Sequence, residues 1–260
     1  MPARADNPRN LLTSLILVFP LLCVYQVGVL FTLPMLNGAD FVTTLLFQTF
    51  HLTIRGYLFF LTVVVATFVG ALALLRRKQR FNSRIVLPML LESTIYALTM
   101  GSLIVLVMTK FLGFPPSLDW SVGGLWLPEL IAGYGDPLRV PMALPGLQEQ
   151  GLVTRLVMSI GAGVYEETVF RLGLLGGLVA VFEKLLGLGR WVAIAAAFVL
   201  SAIAFSAVHH IPPYGDPFSM GIFTFRLLAG VFFGLLFWLR GFAVAVYTHA
   251  LYDIYVLLIR

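Results

Sequence analysis

Residues 150–184 read QGLVTRLVMSIGAGVYEETVFRLGLLGGLVAVFEK. The stretch is apolar almost throughout, yet it carries Glu166, Glu167 and Arg171 near its middle. Ionisable groups at bilayer depth are expensive, about 2.5–3.5 kcal/mol each even on the mild insertion scale. A chain that keeps three of them there uses them. The stretch is also longer than the roughly 20 residues of one straight crossing. Glycines at 161, 163, 173, 176 and 177 allow it to break into two shorter helices.

Working outward, further apolar runs lie at about 11–34, 56–75, 86–108, 190–209, 219–239 and 242–259. Each is long enough to cross a hydrocarbon core at 1.5 Å rise per residue. The expected fold is all-α, a polytopic transmembrane helical bundle of seven or eight spans. Residues 1–149 form N-terminal transmembrane helices plus an interfacial loop, and 150–260 form a helical core within one membrane domain. Segment 38–54 is moderately apolar and suits the interface. Residues 111–149 hold Pro115, Pro116, Pro128, Pro137, Pro141 and Pro145, a density that excludes a regular helix. Trp120 and Trp126 suit a loop resting at headgroup level, read as a connector with a lid over the site as the alternative.

Composition agrees. Of 260 residues, 60% are hydrophobic and 11% charged, with mean hydropathy +0.96. Soluble domains carry about 25% charged residues. The net charge of +5 does not point to nucleic acid, because no aromatic-basic platform accompanies it. The basic residues Arg76, Arg77, Lys78, Arg80 and Arg84 fall between two apolar runs, as in a cytoplasmic loop near anionic headgroups. With seven crossings, Arg4, Arg9, this cluster, Lys184, Arg190 and Arg240 share one side, so the N-terminus is expected inside the cell. Arg4 and Arg9 precede a run too long for a signal peptide, which reads as a retained first span. The single cysteine, Cys23, permits no intrachain disulfide.

Three polar clusters carry chemistry. The first is Glu166-Glu167-x-x-x-Arg171. Residues four apart share a helix face, so Glu167 and Arg171 can pair and neutralise each other. Glu166 is rotated by about 100° and stays free to work. The second is Phe205-x-x-x-His209, where Phe205 shares the face of His209 and can orient its ring. The third is His249-x-x-x-Asp253, one turn apart in the last run, where a carboxylate can orient an imidazole. Each also has a plain alternative as a polar link between helices. Together they supply a carboxylate base, two imidazoles and a further polar group, enough to activate water and stabilise an oxyanion. No serine or cysteine sits in a nucleophile motif, which favours direct attack by water. Two histidines and a glutamate can hold zinc, although the H-E-x-x-H spacing is absent, so a metal is an open alternative to the favoured expectation of no cofactor.

The ordered set of these motifs over residues 150–256 resembles the CPBP family, which includes CAAX prenyl endopeptidases and bacteriocin-processing or immunity (Abi) proteins. The resemblance implies a glutamate-dependent intramembrane protease with a catalytic cavity between helices. It implies that Glu166 and His209 activate water, that His249 and residue 253 form an oxyanion pocket, and that Glu167 and Arg171 support the site. The implied partners are the lipid bilayer and a membrane-associated protein or peptide, lipidated or bearing a sorting tail. One position departs: the family's last motif often has asparagine where this chain has Asp253. An ionised aspartate cannot donate to an oxyanion, so Asp253 either carries a proton or orients His249.

Glu92 and Arg226 are further charges inside apolar runs and are expected to pair, with Arg226 facing a substrate carboxylate as the alternative. Tyr165, Tyr247 and Tyr252 border the motifs as candidate donors. The competing classes are a non-enzymatic immunity or assembly protein and a proton-coupled transporter. A transporter usually shows internal repeats, and the sequence has none.

Overall fold

The computed structural model describes residues 10–32, 37, 39, 40, 43, 53–114, 151–211 and 217–258. The expected interfacial segment at 38–54 and the proline-rich connector at 111–149 lie for the most part outside them. Among the described residues the chain is all-helical, with no strand. The elements are α1 (Leu11–Thr32), α2 (Ile54–Arg76), a short 3₁₀ turn (Ser83–Ile85) leading into α3 (Val86–Lys110), α4 (Leu152–Gly161), α5 (Gly176–Lys184), α6 (Arg190–Val208), α7 (Met220–Arg240) and α8 (Phe242–Leu258).

Between α4 and α5 the chain does not break. Two π-helical segments, Ala162–Glu166 and Thr168–Leu175, join them into one continuous helix. Of the two options that the glycines left open, seven continuous helices are therefore found among the described residues. In a bilayer every backbone group needs a partner, so a widened helix is less costly than a loop at this depth. Neighbours serve the altered turns: Ser201 Oγ on α6 donates to the Phe170 carbonyl at 2.8 Å, and Thr168 Oγ1 donates to the Val164 carbonyl at 2.6 Å.

Among the described residues, five helices are long and apolar enough to cross a membrane. Their outer faces are apolar too: Phe59 is 72% exposed and Trp191 78%. Such side chains belong against lipid tails, and the inner faces carry the polar groups instead. α8 is the central helix and packs against α1, α3, α4 and α7. Its residues Phe242, Ala243, Val244, Ala245 and Val246 are all buried, so it has no lipid face at that end. The α7–α8 turn is a single residue, Gly241, whose φ of 105° favours glycine.

The bundle has two chemically distinct ends. At one, Asn10 Nδ2 donates to the Arg80 carbonyl and Gln79 Oε1 accepts from Leu12 N–H, tying the start of α1 to the α2–α3 loop. Arg240, closing α7, reaches Glu92 near the start of α3 with Nε–Oε1 2.6 Å and Nη2–Oε2 2.7 Å. This corrects the expected Glu92–Arg226 pair. Arg226 lies roughly 21 Å further along α7 at 1.5 Å per residue, toward the opposite end. At that opposite end Arg155 Nη1 donates to the Leu257 carbonyl at 2.7 Å, joining the start of α4 to the end of α8. The basic loop and Arg240 thus share one end of the bundle.

Candidate active site

The three motifs come from three different helices and converge on one ring, that of His249. Its Nδ1 lies 2.7 Å from Glu167 Oε1. Its Nε2 faces Glu166 Oε2 at 3.9 Å and Asp253 Oδ2 at 3.7 Å. Glu167 is fully buried and its second oxygen meets Arg171 Nε at 3.0 Å, the i,i+4 pair expected from spacing. Glu167 therefore links Arg171 to His249, a use of this residue that its helical spacing to Arg171 does not reveal.

Arg171 is buried to 1% exposure, with aromatic faces and a carbonyl around it. Its guanidinium carbon sits 4.4 Å from the Phe205 ring centroid and 5.4 Å from that of Phe233, and Nη2 donates to the Gly230 carbonyl at 3.3 Å. Ring faces attract a cation, most strongly where water is absent. Phe233 also stacks on His249, centroids 4.4 Å apart and planes 13° from parallel. Phe233 carries no motif signal. In a helix as apolar as α7, nothing in the sequence separates it from an ordinary core phenylalanine.

Glu166 has two distinct oxygens. Oε2 faces His209 Nε2 at 3.5 Å as well as His249 Nε2. Oε1 accepts from Asn37 Nδ2 at 3.1 Å. Asn37 follows α1 in a short apolar-to-polar stretch and was not legible as a site residue. His209 closes α6. Its Nδ1 lies 2.7 Å from the Phe205 carbonyl, an acceptor, so Nδ1 carries hydrogen and Nε2 is left facing Glu166. Phe205 touches both histidine rings edge-on, with centroids 5.0 Å from His209 and 6.0 Å from His249. The His209 and Asp253 side chains keep 26% and 22% exposure, against 6% for His249, so they stand at the mouth of the cluster.

Of the tyrosines beside the motifs, Tyr165 Oη accepts from Gln26 Nε2, and Tyr247 Oη donates to the Leu17 carbonyl at 2.9 Å. Both bonds run to α1 rather than to the histidines.

The charge balance constrains the chemistry. Three carboxylates meet one guanidinium and two imidazoles in a medium that penalises net charge. The cluster reaches neutrality only when it holds two protons, which are therefore available near Glu166, His209, His249 and Asp253. Among the described residues no three side chains of His, Cys, Asp or Glu are grouped as a metal ion needs.

Residues 148–255 match the family model described as Rce1-like, type II CAAX prenyl endopeptidase Rce1-like. That part of the chain is similar to this family, the class that the three motifs suggested. The matched segment contains every motif residue, and it leaves out α1, α2, α3 and Asn37. The family is one of proteases, and the match supports protease activity in a multi-pass membrane protein. No curated protein and no solved structure matches the chain.

Proposed function

We propose that this protein is a glutamate-dependent intramembrane endopeptidase that cuts near the C-terminus of a membrane-associated protein. The observation that carries the proposal is that one oxygen, Glu166 Oε2, faces Nε2 of both His209 and His249. A water between Glu166 Oε2 and His209 Nε2 can donate a hydrogen to each, which exposes its lone pair. Its oxygen attacks the scissile carbonyl carbon, one water proton passes to Glu166, and the carbonyl electrons move onto oxygen. His249, protonated on both nitrogens, donates from Nε2 to that oxyanion while Glu167 holds Nδ1. Collapse re-forms the carbonyl and breaks the C–N bond, and the proton taken from water goes to the leaving amine. Water and a peptide bond become a carboxylic acid and an amine, with no covalent enzyme intermediate.

Glu167 and Arg171 support this geometry without touching substrate. No metal enters the proposed steps. The substrate class is a protein whose C-terminal tail reaches into the bilayer, lipidated or carrying a sorting tail. The basic end of the bundle is assigned to the cytoplasm by the positive-inside effect. His209, at the other end of α6, then opens the site to the outer side.

The test is a mass-spectrometric census of C-terminal peptides from host membranes. Cells with the wild type are compared with cells carrying Glu166→Gln at matched amounts of folded protein. Truncated C-termini that appear only with the wild type are expected, and they identify the substrate and the side of the cut. Identical peptide sets, with the protein's biological effect intact, would instead make the cluster a packing device of a membrane immunity or assembly protein.

A further inference from the structure

We propose that Asn37, outside the segment similar to the Rce1-like family, is a positioning residue that holds the plane of the Glu166 carboxylate so that one oxygen faces both imidazoles. The inference rests on the role proposed for Glu166 above.

A glutamate carboxylate turns easily about its last torsion, and its two oxygens are chemically equivalent. In a site where one oxygen must face both imidazoles, something must hold the plane of the carboxylate against that rotation. Asn37 Nδ2 does so by donating to Oε1 at 3.1 Å, which leaves Oε2 toward His209 and His249. Asn37 is itself held on both its main chain and its side chain. Its backbone N–H donates to Tyr25 Oη at 3.1 Å, and its Oδ1 accepts from Ala39 N–H at 2.9 Å. Tyr25 is fully buried on α1, with its ring 5.1 Å from that of Tyr165, the residue preceding Glu166. Gly161 leaves room for the Tyr25 ring, since a Cβ there would collide with it. The position of Asn37 is thus referred back to the helix that carries the base.

The plain alternative is a turn residue. Asn37 does close a turn: Oδ1 takes the Ala39 N–H, and Asp40 N–H donates to the Asn37 carbonyl at 3.0 Å. That turn uses only Oδ1 and the main chain, and aspartate serves such turns as well as asparagine. The bond from Nδ2 to Glu166 is surplus to it. The two roles therefore predict opposite rankings of two substitutions. Asn37→Asp keeps the turn but sets a carboxylate oxygen against Glu166 Oε1. Asn37→Ala removes both.

The experiment uses the full chain in lipid nanodiscs and a synthetic peptide spanning the cut found in the census. Wild type, Glu166→Gln, Asn37→Asp and Asn37→Ala are compared per folded molecule, measured by size-exclusion chromatography. The expected result is a fall in kcat on the order of tenfold to a hundredfold for Asn37→Ala, with KM changed less than about twofold. Asn37→Asp, the closer isostere, is expected to be at least as defective. Near-wild-type kcat in Asn37→Asp, while Glu166→Gln is inactive, would overturn the positioning role and leave the catalytic reading standing. Cleavage by Glu166→Gln, or a census with no cut to copy, would remove the base itself and the proposal with it. If Asn37→Ala does not fold, Asn37→Asp alone decides, because it retains the turn.

Discussion

Glu167 Oε1 lies 2.7 Å from His249 Nδ1, while its other oxygen holds Arg171 Nε at 3.0 Å. One fully buried carboxylate thus forms an ion pair with a guanidinium on its own helix and meets an imidazole on α8. Removing it leaves a buried cation without its counter-charge, which typically costs 3–5 kcal/mol.

Glu167→Gln is accordingly expected to lower thermal stability and to abolish cleavage. Arg171→Met alone strands the opposite charge and is expected to destabilise similarly. The double change Glu167→Leu/Arg171→Met removes both charges, and its melting temperature should exceed that of Arg171→Met alone. It should stay inactive, because His249 Nδ1 has lost its acceptor. Thermal melting in detergent, paired with the cleavage assay, reads both effects; additive loss of stability in the double variant would contradict the pairing.

Asp253 Oδ2 stands 3.7 Å from His249 Nε2, on the side away from Glu167. Since Glu167 already orients the ring, Asp253 is not needed for that. Asp253→Asn would place an N–H where the oxyanion forms, so activity is expected to persist or rise. Initial rates of the two proteins settle it, and a dead variant would return Asp253 to an orienting role.

Gly163 lies where the central helix comes closest. A Cβ there would stand 2.7 Å from both the Val246 carbonyl oxygen and the Ala250 Cβ. Gly163→Ala must push α8 outward, at a cost of about 1–3 kcal/mol typical of overpacking. It also shifts His249, so activity should fall with stability. Gly177→Ala is the control: nothing lies within 4 Å of its Cβ, and alanine favours the helix by up to about 1 kcal/mol. Melting temperatures moving the same way in both variants would argue against close approach as the cause.

The proposed steps use carboxylate and imidazole alone, so cleavage should survive dialysis against 1,10-phenanthroline and EDTA. Loss of activity that zinc restores would move the mechanism to a metal-bound water.

Much of the bundle was legible because a bilayer permits few solutions. Runs of apolar residues of spanning length must be helices there, since each backbone group has to find its partner within its own segment. The same constraint explains the continuous helix from α4 to α5. Its glycines allowed a break, but in lipid a break strands backbone groups that a π turn with help from Ser201 keeps satisfied. The Glu167–Arg171 pair was legible because it is local, set by the 3.6-residue period alone.

What could not be read were meetings between residues far apart in the chain. Glu92 pairs with Arg240 and not with Arg226, because only the antiparallel setting of α3 and α7 decides which arginine reaches it. Phe233 and Asn37 carry no sequence signal at all. One is a phenylalanine among many, the other an asparagine in a turn. By itself the sequence determined the membrane class, the helices and the motif residues, since these follow from local period and from the cost of charge in hydrocarbon. Only the tertiary structure decided that Glu167 serves His249, that Phe233 covers it, and that Asn37 reaches Glu166. Those contacts depend on which helix faces are pressed together by close packing.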